Sequence, residues 1–257
     1  MLKIPFSKWS PGGNTTLFLP NASLPSEHQA QIIQQLLSPE KLAAEQAGFI
    51  DLFTPKLTMA GGEFCLNASA AFAARLSMEE KKNDFAFAVS GWPETIIAHV
   101  QENIPHFQSQ LSLRLNFCHC KHLADKNILC RLPGITHILI NGEHTPYPSD
   151  PKATIHALCQ KYKLSEEFCV GAIWWYKQNQ NYHIKPIVSV KAIATVFEES
   201  ACGSGALAVM MMLAEEGHSS AQIWQPSGFC THITHNQNMA TITSQVDLIA
   251  QGEVWID

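Results

Sequence analysis

The residues of this chain best equipped for chemistry lie in two short runs. Glu198-Glu199-Ser200-Ala201-Cys202-Gly203-Ser204-Gly205 sets two carboxylates and a thiol in a glycine-containing loop. An unbroken stretch of helix-forming apolar residues, Ala206 to Ala214, follows directly. Gly61-Gly62-Glu63-Phe64-Cys65-Leu66-Asn67 repeats the theme 137 positions earlier: glycines and an acid lead to a cysteine, then to an alanine-rich segment reaching Leu76. A loop that feeds straight into an apolar helix leaves free backbone N–H groups at the helix start. A thiol placed there sits at the positive end of the helix dipole, which favours its thiolate. A core cysteine at a tight turn is the competing reading. The second helix is apolar on all sides, so it should be enclosed. The spacing of about half the chain suggests two similar halves, each built on such a helix.

Other candidates are less specific. Ser10-Pro11-Gly12-Gly13-Asn14 is strong turn chemistry between expected strands Ile4–Phe6 and Thr16–Leu19; Asn14 either shapes that loop or points its amide at a ligand. Glu45 stands beside apolar residues, where a surface position is the ordinary alternative. Cys118-His119-Cys120-Lys121-His122 has metal-ligand residue types, but zinc sites show wider, repeated pairs, and only isolated Cys130, His137 and His144 accompany it; no metal site is assigned.

The elements that must position these groups are a mixture dominated by strands. Helices are expected from Ser26, as a cap, to Leu37, from Ser38 to Ala47, and from Lys152 to Tyr162. Strands are expected at Phe85–Val89, Glu94–Val100, Leu111–Phe117, Ile128–Leu132, Thr136–Ile140, Val170–Tyr176 and Ile184–Val196, with a tail of separate short strands at Ala240–Ser244, Leu248–Ile249 and Val254–Ile256. This predicts an α+β fold of two pseudo-symmetric lobes, each a mostly antiparallel sheet curled around a central helix. The expected lobes are residues 1–110 with Cys65 and 111–246 with Cys202, the last strand, 247–257, returning to the first lobe.

With 46% hydrophobic and 15% charged residues, the chain can bury a sizeable core. A net charge of −5 gives no footprint for nucleic acid, and no apolar run has the length of a membrane span. The expectation is a cytoplasmic protein whose eight cysteines are reduced.

The two cysteine runs resemble the diaminopimelate epimerase superfamily. Ala201-Cys202-Gly203-Ser204-Gly205-Ala206 is similar to its second cysteine motif, and Cys65-Leu66-Asn67-Ala68 to the first, departing at Leu66 and Ala68. The Gly13-Asn14 loop and Glu45-Gln46-Ala47-Gly48-Phe49 resemble segments of the same superfamily, the latter in its phenazine-type isomerases. The resemblance implies catalysis without a cofactor by two cysteines, Cys65 and Cys202. One takes the Cα proton of an amino acid and the other returns a proton to the opposite face. It further implies substrate contacts from Asn14, Leu66, Asn67, Gly203 and Ser204, with Glu45 and Glu199 orienting the amino group or assisting proton movement. The partner is then a small amino acid, and a homodimer is consistent with the family. Where diaminopimelate epimerases carry an arginine for the distal carboxylate, this chain has Ile193-Ala194-Thr195, which argues against that substrate. The wording around Glu45 and Glu63 resembles the histidine racemases of staphylopine-type metallophore synthesis. That implies histidine as substrate, with diaminopimelate epimerase, phenazine-type isomerase or a non-catalytic metal-handling protein as alternatives.

Overall fold

The structure, a computed structural model, describes residues 2–21, 24 and 28–256. Its strands join one 16-stranded sheet that is wrapped twice, once around each cysteine helix. The first turn runs β1 (Leu2–Pro11), β2 (Thr16–Pro20), β3 (Gln46–Asp51), β4 (Lys56–Met59), β5 (Asp84–Val89), β6 (Ile96–Asn103) and β7 (His106–Arg114). The second runs β8 (His119–His122), β9 (Ile128–Leu132), β10 (Ile135–Asn141), β11 (Cys169–Gln178), β12 (Asn181–Val190), β13 (Thr195–Glu198), β14 (Ser220–Trp224) and β15 (Cys230–Asn236). The last strand, β16 (Met239–Ile256), belongs to both. It pairs with β7 and β15 through its first half, then with β1 from Val246 to Ile256, closing the first eight-strand ring.

The connections repeat. In the first half, parallel β2 and β3 are joined through α1 (Gln29–Leu37), and parallel β4 and β5 through α2 (Leu66–Glu80). In the second, parallel β10 and β11 are joined through α3 (Pro151–Lys161), and parallel β12 and β14 through β13 and α4 (Gly203–Glu215). Parallel neighbours need such crossovers, and a parallel strand covered on both faces is apolar throughout. So β3 and β10, which each put residues into two apolar clusters, are buried at nearly every position, whereas β5, which fills the main core from one face only, alternates outside and inside. Helices α2 and α4 share the main core. Separate apolar clusters lie under α1, with Leu17, Leu19 and Phe49, and under α3, with Ile138, Val170 and Trp174.

Several expectations change. The Ser26 cap lies outside the described residues; His28 precedes the first helical residue. Residues 38–45 form turns rather than a helix, with Ala43 at φ 47°, and Gln46 already begins β3. The run Ile184–Val196 is not one strand: a single 3-10 turn, Lys191–Ile193, folds β13 back on β12. The tail is one continuous strand because it passes from pairing with β7 and β15 directly to pairing with β1, with one register shift opposite Lys8 and Trp9. The position 110/111 falls inside β7, so the sheet has no break there. Cys120 and Cys130 are bridged rather than both reduced, since antiparallel β8 and β9 place them directly opposite, with Cα atoms 4.1 Å apart.

Candidate active site

The two buried helices point their N-termini at each other. Cys65 and Cys202 are the residues immediately before them, each in extended conformation. Contact between the helix starts is close enough that a Cβ on Gly203 would lie 2.7 Å from Asn67 Oδ1 and 2.9 Å from Leu66 Cβ. Asn67 Nδ2 donates to the Ala201 carbonyl at 2.7 Å, so the first helix holds the backbone just ahead of the second thiol.

Other first-half side chains grip the same backbone. Glu45 Oε2 accepts from Ser200 N–H at 2.9 Å and from Asn14 Nδ2 at 3.1 Å, and Asn14 Nδ2 also reaches the Ala201 carbonyl at 3.2 Å. Cys202 N–H donates to Gln225 Oε1 at 3.0 Å. Gly13, at φ 92°, lets the first loop pass Ser227, which a Cβ would strike at 2.3 Å.

A cavity of about 30 Å³ lies where the helices meet. It is lined by Cys65, Leu66, Asn67, Cys202, Gly203, Ser204, Glu45 and Glu199 among the residues expected at the site. That holds a water or two, not an amino acid, so this state is closed. Asn14 does not line it. Its amide is wholly buried, with Nδ2 bonded to Glu45 and Ala201 and Oδ1 accepting from Gln46 and Thr16. It acts as a joint between the halves. Glu45, with its oxygens already accepting from Asn14, Thr15 and Ser200, is filled by protein donors. Glu199 faces two ways: it also lines an outer pocket of about 270 Å³ with Tyr147, Lys185, Ser200 and Pro226.

Four polar or thiol-bearing lining residues were not singled out from the sequence as site residues: Gln46, Glu63, Cys169 and Thr195. Gln46 directs the first thiol. Its Nε2 donates to Asn14 Oδ1 and Thr16 Oγ1, both at 2.7 Å, leaving Oε1 to accept from the Cys65 thiol at 3.1 Å. At the other end, Cys202 Sγ lies 3.6 Å from Ser204 Oγ, which is 3.0 Å from Nε2 of wholly buried His137. Burial drives that imidazole down to about 3, so the ring is neutral.

The electrostatics differ from the sequence expectation of a favoured thiolate. Burial pushes both thiols above the ordinary cysteine range, and the Glu199 carboxylate pushes them further; the N–H groups of Ala68 and Gly205 oppose this incompletely. Burial also raises Glu199 to about 8 and Glu63 to about 7. Burial in this site therefore favours protonated thiols and acids. A cationic group entering it would shift all of them toward the charged form.

For Glu63, folded protonation outlasts unfolded protonation between the ordinary 4.5 and about 7. The folded state binds the extra proton in that window, so stability is fullest below 4.5 and falls as pH rises through 7. Glu63→Gln should flatten the fall in melting temperature between pH 5 and pH 8; an unchanged slope would contradict this.

The Cys118–His122 run does not gather. Cys120 is bridged to Cys130, and His122 Nε2 meets Glu215 Oε2 at 2.8 Å. No group of three or more metal-binding side chains occurs among the described residues.

The arrangement of the sheet is shared with solved racemases and epimerases. One described as a predicted epimerase from Pseudomonas aeruginosa matches 99% of this chain and 100% of its own, with a TM-score of 0.69 and 11% identity. A hydroxyproline epimerase from Agrobacterium vitis, with bound trans-4-hydroxy-L-proline, matches 98% of this chain and 92% of its own, with a TM-score of 0.65 and 10% identity. At such identities the likeness is one of fold. The sequence is narrower: residues 3–255 match the histidine racemase CntK N-terminal domain, and the chain belongs to that family of amino-acid racemases. A histidine racemase of Fusobacterium nucleatum subsp. nucleatum is 29% identical over 262 residues, 98% of this chain and 96% of its own length.

Proposed function

We propose that this enzyme racemises histidine, with Cys65 and Cys202 as the two bases and no cofactor. The observation that carries the substrate class is the cavity's charge. Glu45, Glu63 and Glu199 line it, and no lysine or arginine does among the described residues. An amino acid bound there needs cationic or N–H-bearing groups for the acids. Its one carboxylate accepts from the backbone N–H groups of the two helix starts, around Asn67 and Gly203–Ser204. A second, distal carboxylate would face acids without a guanidinium.

In this reading the substrate Cα lies between the thiols. One, as thiolate, takes the Cα proton; negative charge moves onto the carboxylate, where the helix N–H groups stabilise it. The other thiol delivers a proton to the far face. The active pair holds one proton between two sulfurs, so its titration belongs to the pair. Glu199, lining both the cavity and the outer pocket, orients the α-ammonium and supplies the charge that entry of a cation neutralises.

The same proposal includes a cytoplasmic location, action as a homodimer, no nucleic-acid or membrane partner, and supply of D-histidine to opine-type metallophore synthesis. Its support is the family membership and the absence, among the described residues, of a helix long and apolar enough to cross a membrane. The test is L-histidine in deuterium oxide. Proton NMR should show loss of the Cα proton as D-histidine accumulates. Faster turnover of diaminopimelate than of histidine would overturn the substrate assignment.

A further inference from the structure

We propose that Glu63 and Thr195 form the subsite that reads the two ring nitrogens of the substrate. The inference rests on the histidine reading above and adds to it the residues that select the side chain. Buried polar atoms almost always have partners, and those that do not need a reason. Among the described residues five such side-chain atoms lack one, and two of them, Glu63 Oε2 and Thr195 Oγ1, belong to residues lining this cavity.

They also lie on one wall. A Cβ built on Gly61 would meet both Glu63 Oε2, at 2.5 Å, and Val190 Cγ1, at 2.3 Å, so the carboxylate sits beside Val190. Thr195 is the cross-strand partner of Val190 where β13 folds back on β12. The two orphaned oxygens thus flank a single strand pair, with Val190, Ile193 and Phe197 supplying apolar lining nearby.

The chemistry fits an imidazole. The neutral ring has one N–H donor and one acceptor nitrogen. Glu63 Oε2 accepts from the N–H, and the Thr195 hydroxyl donates to the other nitrogen, while the apolar side chains cover the ring carbons. Glu45 already accepts from Asn14, Thr15 and Ser200, and the proposed function gives Glu199 the α-ammonium, which leaves Glu63 as the lining carboxyl with an unpartnered buried oxygen.

The test uses Glu63→Gln and Thr195→Val, both close to isosteric, each checked for an unchanged melting profile at pH 5. Two quantities are measured: kcat/KM for L-histidine, and the competitive inhibition constant of β-(2-thienyl)alanine, whose ring is the same size but has no nitrogen. Glu63→Gln should lower kcat/KM for histidine roughly ten- to hundredfold, mainly through KM, and leave the thienylalanine constant within about twofold. Thr195→Val should act in the same sense by a smaller factor. Equal losses on both ligands, or no loss on histidine, would overturn the subsite. A wild-type enzyme inactive on histidine but active on another amino acid would instead remove the substrate reading, and the subsite with it.

Discussion

Serine in place of either cysteine should lower histidine racemisation by about 10²–10⁴-fold, the range over which a positioned acid or base contributes. The two variants should be similarly impaired, because inversion needs both proton transfers and the slower one sets the rate. The double variant should be little worse than either single one, as expected for groups that act as a unit. The geometry makes these substitutions mild for the fold. Cys65 and Cys202 are the residues ahead of α2 and α4, and serine is a good capping residue at such positions. Loss of activity with an unchanged melting temperature is therefore the expected pair of results. A serine variant at either position that keeps more than about a tenth of the wild-type rate would contradict a role for that sulfur.

Gly203→Ala should have the second largest effect, and it tests position rather than chemistry. The new Cβ would lie within 3 Å of Leu66 Cβ and Asn67 Oδ1. Neither is the free end of a flexible chain: Leu66 Cβ is fixed to the start of α2, and Asn67 is anchored by its bond to the Ala201 carbonyl. The helix starts must move apart, carrying the cysteines with them. A shift of about 1 Å in reacting groups can lower the rate by about 10²-fold, and overpacking adds roughly 1–3 kcal/mol of destabilisation. Kinetics and thermal unfolding of the same preparation check this; a folded variant with normal kcat would show that the separation of the helix starts is not critical.

The features legible in the sequence were those that repeat or have a steric reason. The two cysteines before apolar helices stood out, because few structures other than an enclosed helix accommodate Ala206–Ala214 or Ala68–Leu76. The pseudo-symmetric α+β arrangement followed from their spacing and the strand-rich remainder. What was not legible depends on contacts between distant segments. Asn14 looked like a ligand-binding amide; its donors are instead satisfied by Glu45 and by Ala201, 187 positions away. Gln46 directs Cys65 only because β3 passes beside the start of α2. Cys169 and Thr195 reach the cavity from a strand start and a hairpin with no motif of their own. For Glu63 a signal existed: an acid stands two residues before Cys65 as Glu199 stands three before Cys202, and both line the cavity. The turns at 38–45 defeated a helix-compatible composition because Ala43 takes a left-handed conformation there. The Cys120–Cys130 bridge needed strand register, which composition does not supply.

The two opposed thiols are tested most directly by Cα exchange in deuterium oxide, with Cys65→Ser and Cys202→Ser each given pure L-histidine and pure D-histidine. Each variant keeps one sulfur on one face, so each should wash in deuterium from one enantiomer only, without inverting it, and the two variants should act on opposite enantiomers. Exchange of the same enantiomer by both variants, or inversion by either at more than about a tenth of the wild-type rate, would contradict the account.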